Sequence, residues 1–167
     1  MLGFRTITDL KADAALLRQG SYGVIEMADE QLVGVHLRPF PKIITAVGVH
    51  LRGAQVHRRR PGNRCWLYYN QPLTCRGFLA LKYVVSTRDS TLRTFRGALI
   101  VLDEIARLKR TAATVCEAAN LRISDRLFRR WGWERHCLDS SQRHYIKRFY
   151  GEHPAPEIAW SLMTSAS

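Results

Sequence analysis

The stretch RTFRGA, Arg93 to Ala98, sets a glycine and an alanine behind two arginines at the head of a helix-patterned run. Gly97 and Ala98 at the start of a helix would let the backbone approach an oxyanion closely, with Arg93 and Arg96 supplying charge. The chemistry this suits is the binding of phosphate or pyrophosphate. Close packing of a helix on a strand is the equal alternative for Gly97. A second stretch, ANLRISDRLFRRWGWERH from Ala119 to His136, holds five arginines and two tryptophans. Arg122, Arg126, Arg129 and Arg130 recur there at helical spacing and make a basic stripe opposite Leu127 and Trp131. A third, HLRGAQVHRRRPGNR, ends in His57, Arg58, Arg59, Arg60 and Arg64, a hairpin tip suited to nucleic-acid phosphates. Cys65, Cys75, Cys116 and Cys137 form no CxxC pair, so a zinc site is not expected and no metal ligand set is assigned.

Charge narrows the partners. The 167-residue chain carries 26 Lys and Arg against 14 Asp and Glu, a net charge of +12. Residues 1–45 balance five basic against five acidic side chains, whereas residues 46–100 hold ten basic residues and only Asp89 as an acid. A middle third this basic attracts phosphate, in a cofactor or in a polymer. A solvated basic surface is the plainer account of the same charge. The length suits one domain, residues 1–167, with a substantial core. No apolar run reaches membrane-spanning length and no signal segment is visible, so a cytoplasmic protein with free thiols and no membrane partner is expected.

The elements that must position these residues follow from pattern. A short helix is expected within TDLKADAALLRQG, ending at Gly20. YGVIEMADEQLVGVHLRPF reads as two strands about the turn ADEQ, and KIITAVGVHLRGAQVHRRRPGNRCWLYYN as strand, turn and strand. GFLALKYVVST is an apolar strand, LRTFRGALIVLDEIARLKR an amphipathic helix, and TAATVCEA a second buried strand. Asn120 is expected to cap a helix that Gly132 ends, and two strands close the pattern. Strand, helix, strand favours parallel pairing. The fold class is α/β, a mixed central sheet flanked by helices.

TVCEAANLRISDRLFRRWGWERH resembles the C-terminal signature of the GNAT family of acyl-CoA-dependent N-acyltransferases, with Asn120 at its Asn and LFRRWGW at its L-Y-x-x-x-G-F pattern. The likeness covers residues 78–136. It implies a GNAT-like fold, acetyl-CoA or another acyl-CoA as co-substrate, and an amine acceptor. It places the acyl donor against Val84 and Val85, with Arg93, Arg96, Gly97, Ala98 and Asn120 around its phosphates and arm. Acyl transfer also needs a base for the ammonium and an acid for the leaving thiolate. Phe128 stands where the family has a tyrosine, so Tyr145 or Cys116 must substitute as acid, and Glu117 is the candidate base. Two rivals remain at this point. One is a nucleic-acid- or ribosome-binding module using Arg58, Arg59, Arg60 and Arg64. The other is a relative that binds acyl-CoA without catalysis.

Overall fold

The computed structural model describes residues 4–40, 61–118, 123–137, 139 and 141–163. In chain order the described elements are β1 (Arg5–Ile7), α1 (Ala14–Gln19), β2 (Tyr22–Ala28), β3 (Gln31–Arg38), β4 (Arg64–Asn70) and β5 (Phe78–Ser86). They continue with α2 (Leu92–Lys109), β6 (Ala113–Glu117), α3 (Asp125–Arg130), β7 (Glu134–His136), β8 (His144–Arg148) and α4 (Pro156–Trp160). The eight strands form one mixed sheet in the order β1-β3-β2-β4-β5-β6-β8-β7. Only β5 and β6 pair in parallel, joined through α2, and the other neighbours are antiparallel. The expected mixed α/β sheet is therefore what the chain builds.

Local chemistry explains the boundaries. The β2–β3 hairpin turns at Asp29 and Glu30, both at positive φ (49° and 68°), as a two-residue hairpin loop requires. The α1 helix starts later than the sequence suggests. Asp9 Oδ1 accepts from the Lys11 and Ala12 N–H groups at 2.9 Å each, holding a turn before the helix begins at Ala14. Past α3, Gly132 takes φ +85°, the left-handed conformation that a helix C-terminus favours in glycine. α4 begins with Pro156 at its first position, where a missing N–H costs nothing.

The helices share one face. Tyr145 and Lys147 lie two apart on β8 and so point the same way. Tyr145 stacks on Phe128 of α3, and Lys147 bonds Asp103 of α2. Leu99, Val101, Leu102, Ile105 and Ala106 of α2 are buried, packed with Ile25, Met27, Leu67 and Tyr69 from the sheet in one continuous core. Burying such side chains stabilises by about 1.5–3 kcal/mol each before conformational entropy is charged.

Candidate functional site

The sheet opens where its one parallel pair ends. β5 runs on to Ser86, yet it pairs with β6 only from Phe78–Ala113 to Leu81–Cys116. On its other side β5 stays paired with β4 to Ser86. The register slips there, because Tyr68 faces Tyr83 while Tyr69 faces Leu81, which leaves Lys82 as the extra residue of a β-bulge. A bulge bends its strand and ends pairing locally. From Val84 to Ser86, β5 has no strand partner on the β6 side among the described residues. Those backbone groups form an open edge inside the sheet, ready to pair with an extended ligand.

The edge leads to the N-terminus of α2. Thr91 is the N-cap, and its Oγ1 accepts from Thr94 N at 3.2 Å. Asn63 Oδ1 accepts from Thr91 N at 2.9 Å and from Thr94 Oγ1 at 2.7 Å. Thr87 Oγ1 accepts from Arg64 N at 2.9 Å and donates to the Gly62 carbonyl, tying this loop to the start of β4. Of the first N–H groups of α2, those of Leu92 and Arg93 have no acceptor among the described residues. With the exposed guanidinium of Arg93 above them, they can receive an anion. Arg93 Nη1 lies 3.9 Å from Glu30 Oε2, a loose contact between exposed groups.

The glycine expected to do this work stands elsewhere. Gly97 is the sixth residue of α2, not its start, so its N–H and that of Ala98 belong to the helical ladder. A Cβ on Gly97 would lie 2.6 Å from Met27 Cε and 3.8 Å from Leu162 Cδ1, so this glycine lets the helix approach the sheet. Ala98 is fully buried. The helix N–H groups without an acceptor among the described residues are instead those of Leu92 and Arg93, at the head of α2. Arg93 and Arg96 are both exposed near it, and Val84 and Val85 lie on the open stretch of β5. Asn120 lies outside the described residues, and Ser124 caps α3 instead, its Oγ accepting from Leu127 N at 3.2 Å. Asp125 in the first turn adds favourable charge.

Glu117 ends β6, one residue past the last β5–β6 pair, and is exposed at the opening. Tyr145 is tied up. Its ring is buried and stacked on Phe128 at 4.2 Å, while its hydroxyl donates to Asp125 Oδ1 at 2.5 Å and accepts from Arg143 Nη2 at 2.6 Å. Loss of solvent and the bond to Asp125 both raise its pKa. The same bond, with help from Arg143, holds the Asp125 carboxyl below its ordinary value. A tyrosine whose proton is committed to a carboxylate is less available to a thiolate, and this weighs against Tyr145 as the acid. Cys116 is buried and its thiol is pushed up to about 12 by burial, so it offers neither proton nor nucleophile at neutral pH.

The basic stretches divide as well. Arg126, Arg129 and Arg130 are exposed on α3, a helix of only six residues, and Arg122 lies outside the described residues. Arg64 opens β4, and its exposed side chain pairs through Nη1 with Glu26 Oε1 at 3.3 Å. His57, Arg58, Arg59 and Arg60 lie outside the described residues. Trp133 is a core residue at 2% exposure, whereas Trp131 is half-buried with its ring 5.9 Å from that of Phe95. Sequence reasoning missed Asp125 and Arg143 as the partners of Tyr145, and Asn63, Thr91 and Thr94 as the frame of the α2 N-terminus. Only the Thr91–Thr94 spacing carried a signal, since a threonine before an apolar helix is a cap.

No family model matches the chain, and no curated protein matches its sequence. Among solved structures the chain is similar to the crystal structure of nourseothricin acetyltransferase. The identity is 13%, the match covers 88% of this chain and 99% of that one, and the TM-score is 0.41. No helix among the described residues is long and apolar enough to cross a membrane. They also hold no cluster of three metal-ligating side chains.

Proposed function

We propose that the chain is an acyl-CoA-dependent N-acyltransferase with a GNAT-like fold. The observation that carries this reading is the opening of the sheet at Leu81, where β5 bulges, leaves β6 and from Val84 to Ser86 presents a strand edge with no strand partner among the described residues, leading to the α2 N-terminus. An acyl-CoA has an arm with two amides in series and a pyrophosphate beyond it. The amides suit the strand edge at Val84 and Val85. The pyrophosphate suits the Leu92 and Arg93 N–H groups, with Arg93 and Arg96 as counter-charges. The thioester then falls at the bulge, beside Glu117.

In this reading the acceptor amine arrives protonated and Glu117, directly or through a water, takes its proton. The amine nitrogen attacks the thioester carbonyl, the C–S bond breaks as the C–N bond forms, and the sulfur leaves as thiolate. The second proton of the attacking nitrogen passes through water at the exposed mouth to the thiolate, since the Tyr145 hydroxyl is engaged with Asp125. The test is calorimetric titration with acetyl-CoA and, separately, with ATP. Micromolar binding of acetyl-CoA, about 8 kcal/mol at 1 μM, with much weaker ATP binding supports the reading, and Arg93→Ala with Arg96→Ala should weaken it. Equal, weak binding of both ligands overturns it, because a basic surface alone would do that.

A further inference from the structure

On the outer side of α2 lies a half-open pocket of about 160 Å³, bounded by α2, the turn from α3 into β7, β8 and α4. Its walls are apolar, formed chiefly by Leu99, Trp131, Trp133, Pro154 and Ile158. Its polar lining is an ion pair in which Lys147 Nζ donates to Asp103 Oδ2 at 2.6 Å, the two side chains being 16% and 8% exposed, together with Glu104, whose carboxylate is already held by Arg107. Only one oxygen of the Asp103 carboxylate is used. Asp103 Oδ1 has no donor, and Lys147 makes no second hydrogen bond, among the described residues. A lysine carries three donors. Arg96 stands on the lining, exposed and without an ion-pair partner among the described residues.

These groups ask for a particular ligand. At about 30 Å³ per water the space holds roughly five waters, or one flat bicyclic ring. A ligand that only accepts leaves Asp103 bare, and one that only donates leaves Lys147 bare. A ring with an amino group beside an unprotonated ring nitrogen satisfies both, the amine donating to Asp103 and the nitrogen accepting from Lys147. The Trp131 indole offers an apolar face to such a ring, and Arg96 offers a charge to a phosphate attached to it. We propose that this pocket binds an adenine-type base carrying a phosphate. Arg96 is the residue shared with the acyl-transfer reading; the pocket uses none of the open edge of β5.

The test is calorimetry on the intact protein with adenosine monophosphate, the same nucleotide lacking its exocyclic amine, and inorganic phosphate. The expected result is saturable binding of adenosine monophosphate with Kd below about 1 mM, weakened at least about tenfold by loss of the amine. Ala155→Trp places a large ring into the pocket from its exposed rim and should abolish binding while circular dichroism stays unchanged. Arg96→Ala should weaken the nucleotide but leave adenosine as it was. Binding that is absent, equal for all three probes or indifferent to Ala155→Trp overturns the proposal. Acetyl-CoA carries an adenine nucleotide of its own, so the two ideas are separated in Ala155→Trp. Acetyl-CoA binding that survives there rests on β5 and the head of α2; acetyl-CoA binding lost together with adenosine monophosphate rests on this pocket and sinks acyl transfer at the β5 edge.

Discussion

Replacing Lys147 with methionine would strip the Asp103 carboxylate of its one bonded partner while keeping most of the side-chain volume. Asp103 is 8% exposed and its proton affinity is raised, first by loss of solvent and against the pull of Lys147 and His153. Breaking a buried pair from one side costs about 3–5 kcal/mol. Two features reduce that here. The carboxylate borders an open pocket that admits water, and it can take up a proton once its lysine is gone. We expect a loss of about 2–3 kcal/mol at pH 7, a fall in Tm of roughly 4–12 °C for a chain of this size. The pH dependence gives the sharper test. A carboxyl whose folded pKa is raised contributes stability that is complete below the unfolded value and is lost as pH rises through the folded one. The penalty in Lys147→Met should therefore be largest at neutral pH and shrink towards zero in acid. Adding Asp103→Asn should restore most of it. Urea denaturation at a series of pH values reads both effects. A loss under about 0.5 kcal/mol at every pH, the size of an ordinary surface pair, would refute the buried-pair argument.

Gly97→Ala gains about 0.5–1 kcal/mol of helix propensity but meets Met27 Cε in a closed core, an overpacking cost of about 1–3 kcal/mol. A net loss near 1 kcal/mol is expected, vanishing in a Met27→Leu background; a gain in the single variant would show that no close approach exists. Tyr145→Phe removes the largest influence holding the Asp125 carboxyl low, so its titration should move up in carbon-detected NMR. An unmoved Asp125 would contradict the hydrogen bond, and if acyl transfer is found, a large fall in kcat would restore Tyr145 as the acid. Lys109 donates to the Arg18 carbonyl at 2.9 Å and to Gln71 Oε1 at 3.1 Å, and burial, helped by the charge of Arg76, lowers its pKa to about 8. Stability from this lysine is thus complete above its ordinary value of 10.5 and lost as pH falls through 8. Wild type should gain on Lys109→Met between those values, and parallel stability curves would exclude the shift.

Much of the fold could be read from the chain because its patterns are local. The apolar run at GFLALKYVVST, the helical stripe from Leu99 to Leu108 and the strand TAATVCEA each carry their own period, and their order dictates a parallel crossover. The hairpin turn at Asp29 and Glu30 was legible for the same reason. Boundaries were less so. Thr8 and Asn120 are good capping residues by type, but Asp9 holds a turn before α1, and Ser124 with Asp125 makes the cap of α3. Several polar residues near a helix start compete for one role, and backbone geometry picks among them. The helix α4 went unread because five residues are too few to show a period.

The site was harder to read because its decisive features are relations between strands. The bulge at Lys82 and the parting of β5 from β6 at Leu81 leave no mark in residue type, since both are matters of register. Gly97 shows the converse, a residue whose type suggested ligand approach and whose place in the second turn of α2 makes it a packing residue against Met27. Phe128 and Tyr145 carry the lesson furthest. By spacing alone, a phenylalanine replaces the family's tyrosine and a later tyrosine offers itself as substitute. In space the two rings stack, and Asp125 and Arg143 hold the tyrosine's hydroxyl. The residues that would grip a donor are thus half-buried on β5 and exposed on α2, while the side chain that would supply a proton is locked into α3's packing. A protein so arranged can bind an acyl donor well and still leave proton return to water, so in the proposed reading its rate should follow solvent access to the mouth at Glu117 more than any property of Tyr145.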